Sequence, residues 1–179
     1  MAKLRKMLRS IDSPEIISLM HLIETQNKMT IATWCVNYAK EHILPIYQKS
    51  FPKDQRLLQA INGALDYLEG TIKLPAAKKL ISEAQTAARE TKENPVAQAA
   101  ARAVAQACAT IHKSTNALAL AFYGSAAIAY DRVGLLETKE TYDEIATEEF
   151  HRLEEALRSI AIENEPNPAK INWHCYNKK

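Results

Sequence analysis

Glu148 and His151 form the one E-x-x-H pair in the sequence. On a helix this spacing sets a carboxylate and an imidazole one turn apart on the same face, as in helical di-metal bundles. Such a centre needs a second pair and two further carboxylates from facing helices. Glu144, Glu148, His151 and Glu155 all fall opposite Phe150 and Leu153, so they read as a solvated acidic face and no metal is expected. Cys108 and His112 are four apart, which sets a thiol beside an imidazole on one helix face. A buried, inert thiol is the expectation there. The sequence contains no H-E-x-x-H, G-x-S-x-G or P-loop. Neither a catalytic residue nor a cofactor is expected.

Residues suited to binding form two further groups. Trp34, Tyr38 and His42 are spaced four apart, a slowly drifting stripe on one helix. Trp and Tyr join an apolar body to a polar tip, which suits both core edges and partner surfaces. Trp34 is expected in the core, while His42, close to Pro45, is open to either reading. Gln98, Arg102 and Gln106 draw a polar line along an alanine-rich helix that ends at His112. Tyr123 and Tyr130, seven apart, share a face of the next helix, and Asp131 follows. A buried, unpaired arginine is costly. Arg102 is therefore expected to pair with Asp131 or a tyrosine hydroxyl, with a ligand or partner site as the alternative.

Helices must position all of these residues. Ser13-Pro14-Glu15 reads as a cap, a first-turn proline and a first-turn acid, followed by the stripe Ile16, Leu19, Met20 and Ile23. A second helix spans about 29–42, and Pro45 is expected to kink or end it. The stretch KSFPKD is a loop. Asp54 is expected to cap a third helix and Gly70 to stop it. Pro75 opens a fourth helix and Asn94-Pro95 a fifth. Ser114 or Thr115 caps a sixth, which Gly134 ends. The last long helix runs over about 139–162. Gly63 and Gly124 lie inside helical patterns, where each costs about 1 kcal/mol relative to alanine, so a close helix crossing is expected at each. No strand pattern appears. The chain thus reads as all-α, a single-domain bundle of about seven helices over 1–179. It has an alanine-rich central pair, a basic segment at 1–12 and an extended tail at 164–179.

Composition agrees. The 179 residues fit one domain, and 47% hydrophobic with 25% charged residues argues against disorder. Four glycines are too few for a turn-rich sandwich, and a net charge of +2 gives no general case for nucleic acid. Cys35, Cys108 and Cys175 are odd in number and far apart, which fits reduced thiols in the cytoplasm. The longest uncharged run, Ser114 to Tyr130, is shorter than the roughly 20 residues of a spanning helix, so no membrane is expected. The N-terminus lacks the apolar core of a secretory signal. Lys3, Arg5, Lys6 and Arg9 are expected to be solvated at a frayed end.

Four stretches carry a resemblance: YAKEHILPIYQKSFPKDQR at 38–56, NPVAQAAARAVAQACATIH at 94–112, NALALAFYGSAAIAYDRVG at 116–134 and PNPAKINW at 166–173. Over about Thr30 to Trp173 the chain resembles the small helical putative immunity proteins of bacterial polymorphic toxin systems. The resemblance implies a cytoplasmic protein that binds a cognate protein toxin and blocks it, with no catalysis and no cofactor. It draws attention to Trp34, Tyr38, His42, Arg56, Arg102, His112, Tyr123, Tyr130 and Trp173 as ligand or partner contacts. Lys113-Ser114 departs from the more apolar, proline-containing link expected after His112. The acidic last helix (Asp143, Glu144, Glu148 and Glu155) would suit a basic toxin. The alternatives are a small-ligand binder or enzyme with a pocket lined by His42, Arg102, His112 and Tyr123, and a structural homo-oligomer packed through alanine and glycine faces.

Overall fold

Asn27, Asn94 and Thr138 start three helices by one device. Each side-chain oxygen accepts a backbone N–H three residues on: Thr30 at 2.8 Å, Ala97 at 3.1 Å and Thr141 at 3.2 Å. The computed structural model describes residues 3–176. The helices are α1 (Pro14–Glu24), α2 (Lys28–Tyr38), α3 (Leu44–Ser50), α4 (Arg56–Leu68), α5 (Leu74–Glu90), α6 (Pro95–Ala109), α7 (Asn116–Val133) and α8 (Lys139–Ile160). A π-helical turn, Ala39–Ile43, joins α2 to α3 without a break, so the described residues form seven continuous helices and no strand. The chain is an all-α domain.

Pro45 therefore does not end the second helix. A proline ring clashes with the carbonyl one turn back and supplies no N–H. The chain absorbs this by widening just before it: the Leu44 N–H donates to the Ala39 carbonyl, five residues back, and helix continues to Ser50. Elsewhere the punctuation matches with local differences. Gly70 and Gly134 follow α4 and α7 with φ of +80° and +81°, a region that favours glycine. Ser13 stands in extended conformation ahead of α1, but its hydroxyl makes no capping bond. Thr115 precedes α7 without capping it. The last helix stops at Ile160, two residues short of the expectation.

α6 lies at the centre, against α2, α3, α4, α5 and α7. Its alanines are the reason: Ala100, Ala101, Ala103 and Ala107 are fully buried and let neighbouring axes approach on several sides. Gly124 of α7 packs beneath Ile43 of the π-turn, where an added Cβ would lie 3.4 Å from Ile43 Cδ1. At Gly63 a Cβ would collide with Leu80 of α5. Gly63 thus marks a close crossing, as expected, whereas at Gly124 an added Cβ would make an ordinary van der Waals contact. Phe150, Leu153 and Leu157 turn α8 into the core, while Glu144, Glu148, His151 and Glu155 face outward.

The basic N-terminal segment departs from expectation. Leu8 is fully buried. Arg5 pairs with Asp143 of α8 at 2.7 Å, and Arg9 pairs with the buried Glu15 at 2.5 Å. Its cations are anchors over the α1–α8 seam; Lys3 and Lys6 alone are exposed. As far as Tyr176 the tail lies over the body as expected, and residues 177–179 of it lie outside the described residues. The Ala169 N–H donates to the Gln26 carbonyl at 2.8 Å, and the Gln26 side chain holds the Ile162 backbone on both sides. No helix among the described residues is long and apolar enough to cross a membrane.

Asp54 acts as a hub rather than a simple cap. Its carboxylate accepts from the Tyr47 hydroxyl at 2.7 Å and from the Arg56 backbone N–H and guanidinium. Arg56 holds its pKa down to about 2, against the opposing effect of burial. A carboxyl lowered on folding stabilises the protein above its unfolded pKa, and loses that contribution as pH falls through the folded value. Asp54→Asn is expected to cost about 2 kcal/mol at pH 7 in urea unfolding, with wild type and variant converging as pH falls from about 4 toward 2.

Candidate functional site

Trp34, Tyr38 and His42 follow their stripe from the core to the surface. Trp34 is 3% exposed, and its Nε1–H donates to the Leu153 carbonyl of α8 at 3.1 Å. The Tyr38 hydroxyl donates to Glu149 Oε1, also in α8. Beyond them the exposed His42 ring tilts against Tyr38, with centroids 4.5 Å apart. The stripe thus runs across the α2–α8 seam and opens into a groove of about 570 Å³.

Glu149 forms the hidden end of this arrangement. It is 2% exposed, and burial pushes its carboxyl above the ordinary carboxylate range, with the Tyr38 hydrogen bond and Arg152 pulling back. Burial, then the Glu149 charge, pushes the Tyr38 phenol up. The cations on the rim already have partners: Lys49 with Asp131 at 2.7 Å, Arg132 with Glu148 at 2.9 Å and Arg152 with Glu149 at 3.9 Å. His42, 3.8 Å from Glu41, is the least committed group.

Arg102 and Tyr123 meet elsewhere, between α6 and α7. The Arg102 guanidinium lies 5.9 Å from the Tyr123 ring centroid, within cation–π range. The expected pairing with Asp131 or a tyrosine hydroxyl is not found. Lys49 occupies both Asp131 oxygens, and Arg102 addresses the face of Tyr123 rather than its hydroxyl. Gln98 donates to the Ala88 carbonyl at 2.7 Å and so ties α6 to α5. Gln98, Arg102, Gln106 and Tyr123 line one side of a groove of about 350 Å³, and Gln85 and Arg89 of α5 line the other.

The remaining candidates serve the fold. Arg56 bridges Asp54 and Glu90, both at 2.8 Å, and so clamps the start of α4 to the end of α5. The Tyr130 hydroxyl donates to the Arg5 carbonyl at 2.5 Å, and its ring meets Tyr142 edge-on. Trp173 is 8% exposed, with its indole N–H on the Glu24 carboxylate. His112 is exposed past the end of α6; partial burial, then Lys78 and Lys113, lowers its pKa. His42, Arg102, His112 and Tyr123 do not share one cavity. His42 lines the first groove, Arg102 and Tyr123 the second, and His112 neither. Cys108 is fully buried and its thiol is pushed up to about 12 by that burial, away from the exposed His112.

Glu149 was legible and passed over. It lies on the stripe Ala146, Phe150, Leu153 and Leu157, where an acid breaks the apolar pattern. On the outer face of α8, Asp143 is held by Arg5 and Lys139 and Glu148 by Arg132, which leaves Glu144 and Glu155 without an ion pair among the described residues. No three His, Cys, Asp or Glu side chains among the described residues are grouped to hold a metal ion.

The family model described as Imm-5 like putative immunity protein matches residues 21–156. The chain belongs to that family. The match covers the last turn of α1 through most of α8 and includes both grooves. It includes every candidate residue but Trp173, and it stops short of the 166–173 stretch that contributed to the resemblance. The immunity-protein match also leaves out the N-terminal anchor. No curated protein and no solved structure matches the chain.

Proposed function

We propose that this protein binds a cognate protein toxin of a bacterial polymorphic toxin system in the cytoplasm. It blocks the toxin by covering a surface, without catalysis. The family match over residues 21–156 carries this reading. The placement of the candidate residues supports it. Trp34, Tyr38, Arg56, Tyr130 and Trp173 tie helices, the N-terminal segment and the tail together, which makes a stiff body. His42, Arg102 and Tyr123 remain at the surface, on elements held by that body. A pre-organised surface loses little entropy on docking, and a stable occluding interface buries roughly 1,200–2,000 Å² in total.

Co-expression with the toxin encoded by the adjacent gene tests the reading. Growth is expected to recover, and the two chains are expected to co-purify as a complex resolved by light scattering. Light scattering on the protein alone also decides whether it self-associates through its small-residue faces. Failure of both rescue and co-purification overturns the proposal. So does turnover of the toxin's substrate by the purified protein.

A further inference from the structure

We propose that the groove around Arg102 receives an acidic side chain, aspartate or glutamate, of the protein partner. The inference rests on reading the chain as a toxin-binding protein. The arginines of the chain carry it. The sequence has eight. Arg5, Arg9, Arg56, Arg132, Arg152 and Arg158 each pair with a carboxylate of the protein. Among the described residues the two without one are Arg89 and Arg102, and both line this groove. No aspartate or glutamate lines it. Glu90, next in the chain to Arg89, is turned away to Arg56.

The groove is built to hold that charge in place. Arg102 is partly buried, and its guanidinium lies 5.9 Å from the Tyr123 ring centroid, within cation–π range. Ala88 and Ala105 form part of its lining, and their short side chains leave the space open. A planar guanidinium presents paired N–H donors that match a carboxylate, and its fork geometry means that less side-chain entropy is lost per hydrogen bond formed. At about 350 Å³ the groove admits a side chain and its flanking backbone, not a folded element.

The amides favour a protein carboxylate over a free anion. Gln85, Gln98 and Gln106 surround the two arginines. Each can both donate and accept, as peptide groups beside an acidic side chain require. Inorganic phosphate at neutral pH is chiefly an acceptor, and it is better served by clustered backbone N–H groups. Arg102 is then the anchor of the contact and Arg89 its flexible second cation, donating to Thr86 at 2.7 Å until a partner arrives.

Two measurements test this. In the first, the intact protein labelled with ¹⁵N is titrated with an end-blocked peptide of alternating Glu and Ala, and separately with inorganic phosphate. Peptide-induced shifts centred on the Arg102 Nε–H and the Gln98 and Gln106 amides are expected, and Arg102→Gln should abolish them. Phosphate shifts without peptide shifts, or no shifts in the groove, overturn the inference. In the second, toxin affinity is compared by calorimetry. Arg102→Gln is expected to weaken binding by about 30–100-fold, as for truncation of a hydrogen-bonded interfacial charge pair. Arg102→Lys should fall between, and Lys28→Gln, the same loss of charge outside the groove, should stay within about twofold. An unchanged melting temperature excludes misfolding; should Arg102→Gln lower it, the Arg102→Lys comparison decides. Toxin binding that ignores both Arg102 variants overturns the groove contact and leaves the immunity function standing. Toxin that fails to bind wild type overturns that function, and the peptide titration then decides the groove by itself.

Discussion

Trp34→Ala is expected to remove about 3–5 kcal/mol of stability, the usual cost of deleting a large buried aromatic side chain. The indole fills the seam between α2 and α8, and its N–H ties it to the Leu153 carbonyl. Alanine leaves a cavity between two helices that close-packed neighbours cannot easily refill. Total stability for a domain of this size is commonly about 5–15 kcal/mol, so the variant would sit near its unfolding threshold. Urea unfolding followed by circular dichroism measures the effect, with the midpoint falling at unchanged slope. Trp34→Phe separates the two contributions: it keeps most of the apolar contact, loses the N–H donor, and should cost less than half as much. A loss below about 1 kcal/mol for Trp34→Ala would show that the residue is held for an external contact and not for the seam.

The division between anchors and surface groups was partly visible in the sequence. Helix starts at Asn27, Asn94 and Thr138 follow from local hydrogen-bonding chemistry within three residues, and that information is carried by the segment itself. Gly63 is legible through its cost: a residue unfavourable in a helix persists where a neighbour, here Leu80, comes too close for a Cβ. Pro45 was harder, because proline states only that the ordinary ladder fails. Whether the chain stops or widens depends on what lies alongside, here Gly124 beneath Ile43. The N-terminal segment departs from its local pattern for a similar reason. Arg5 finds Asp143 across a separation of 138 residues, and no local pattern announces such a pairing. Arg102 is the converse case. Its place on the alanine-rich α6 demanded a partner, and the acid that the sequence suggested, Asp131, is taken by Lys49. A residue whose expected intramolecular partner is occupied elsewhere is a better pointer to an external contact than any charge count.

Glu149 gives the sharpest test of which polar groups serve the fold, because its charge opposes folding. Burial raises its pKa in the native state. A carboxyl raised on folding binds more protons in the native than in the unfolded state between the two pKa values, so stability falls as pH rises through that window. The favourable contribution is complete below the unfolded value and is lost as pH climbs past the folded one. Glu149→Gln keeps an oxygen for the Tyr38 hydroxyl and cannot ionise. It is therefore expected to be at least as stable as wild type at pH 7.5, and to lack the decline that wild type shows from about pH 4.5 upward. Tyr38→Phe acts in the opposite sense. It strips the buried carboxylate of its donor and should cost about 2–3 kcal/mol at pH 7.5, the range for hydrogen bonds to charged groups. It should also push the Glu149 pKa higher, so that its deficit shrinks as pH falls through the folded-state values of the two proteins, above that of the unfolded carboxyl. In the double variant Glu149→Gln with Tyr38→Phe, most of that deficit should vanish, since no charge remains to be stabilised. Equal deficits for Tyr38→Phe in both backgrounds would mean that the hydroxyl contributes nothing specific to the Glu149 charge. A Glu149→Gln protein less stable than wild type at pH 7.5 would mean that Arg152, 3.9 Å away, compensates the buried charge in full.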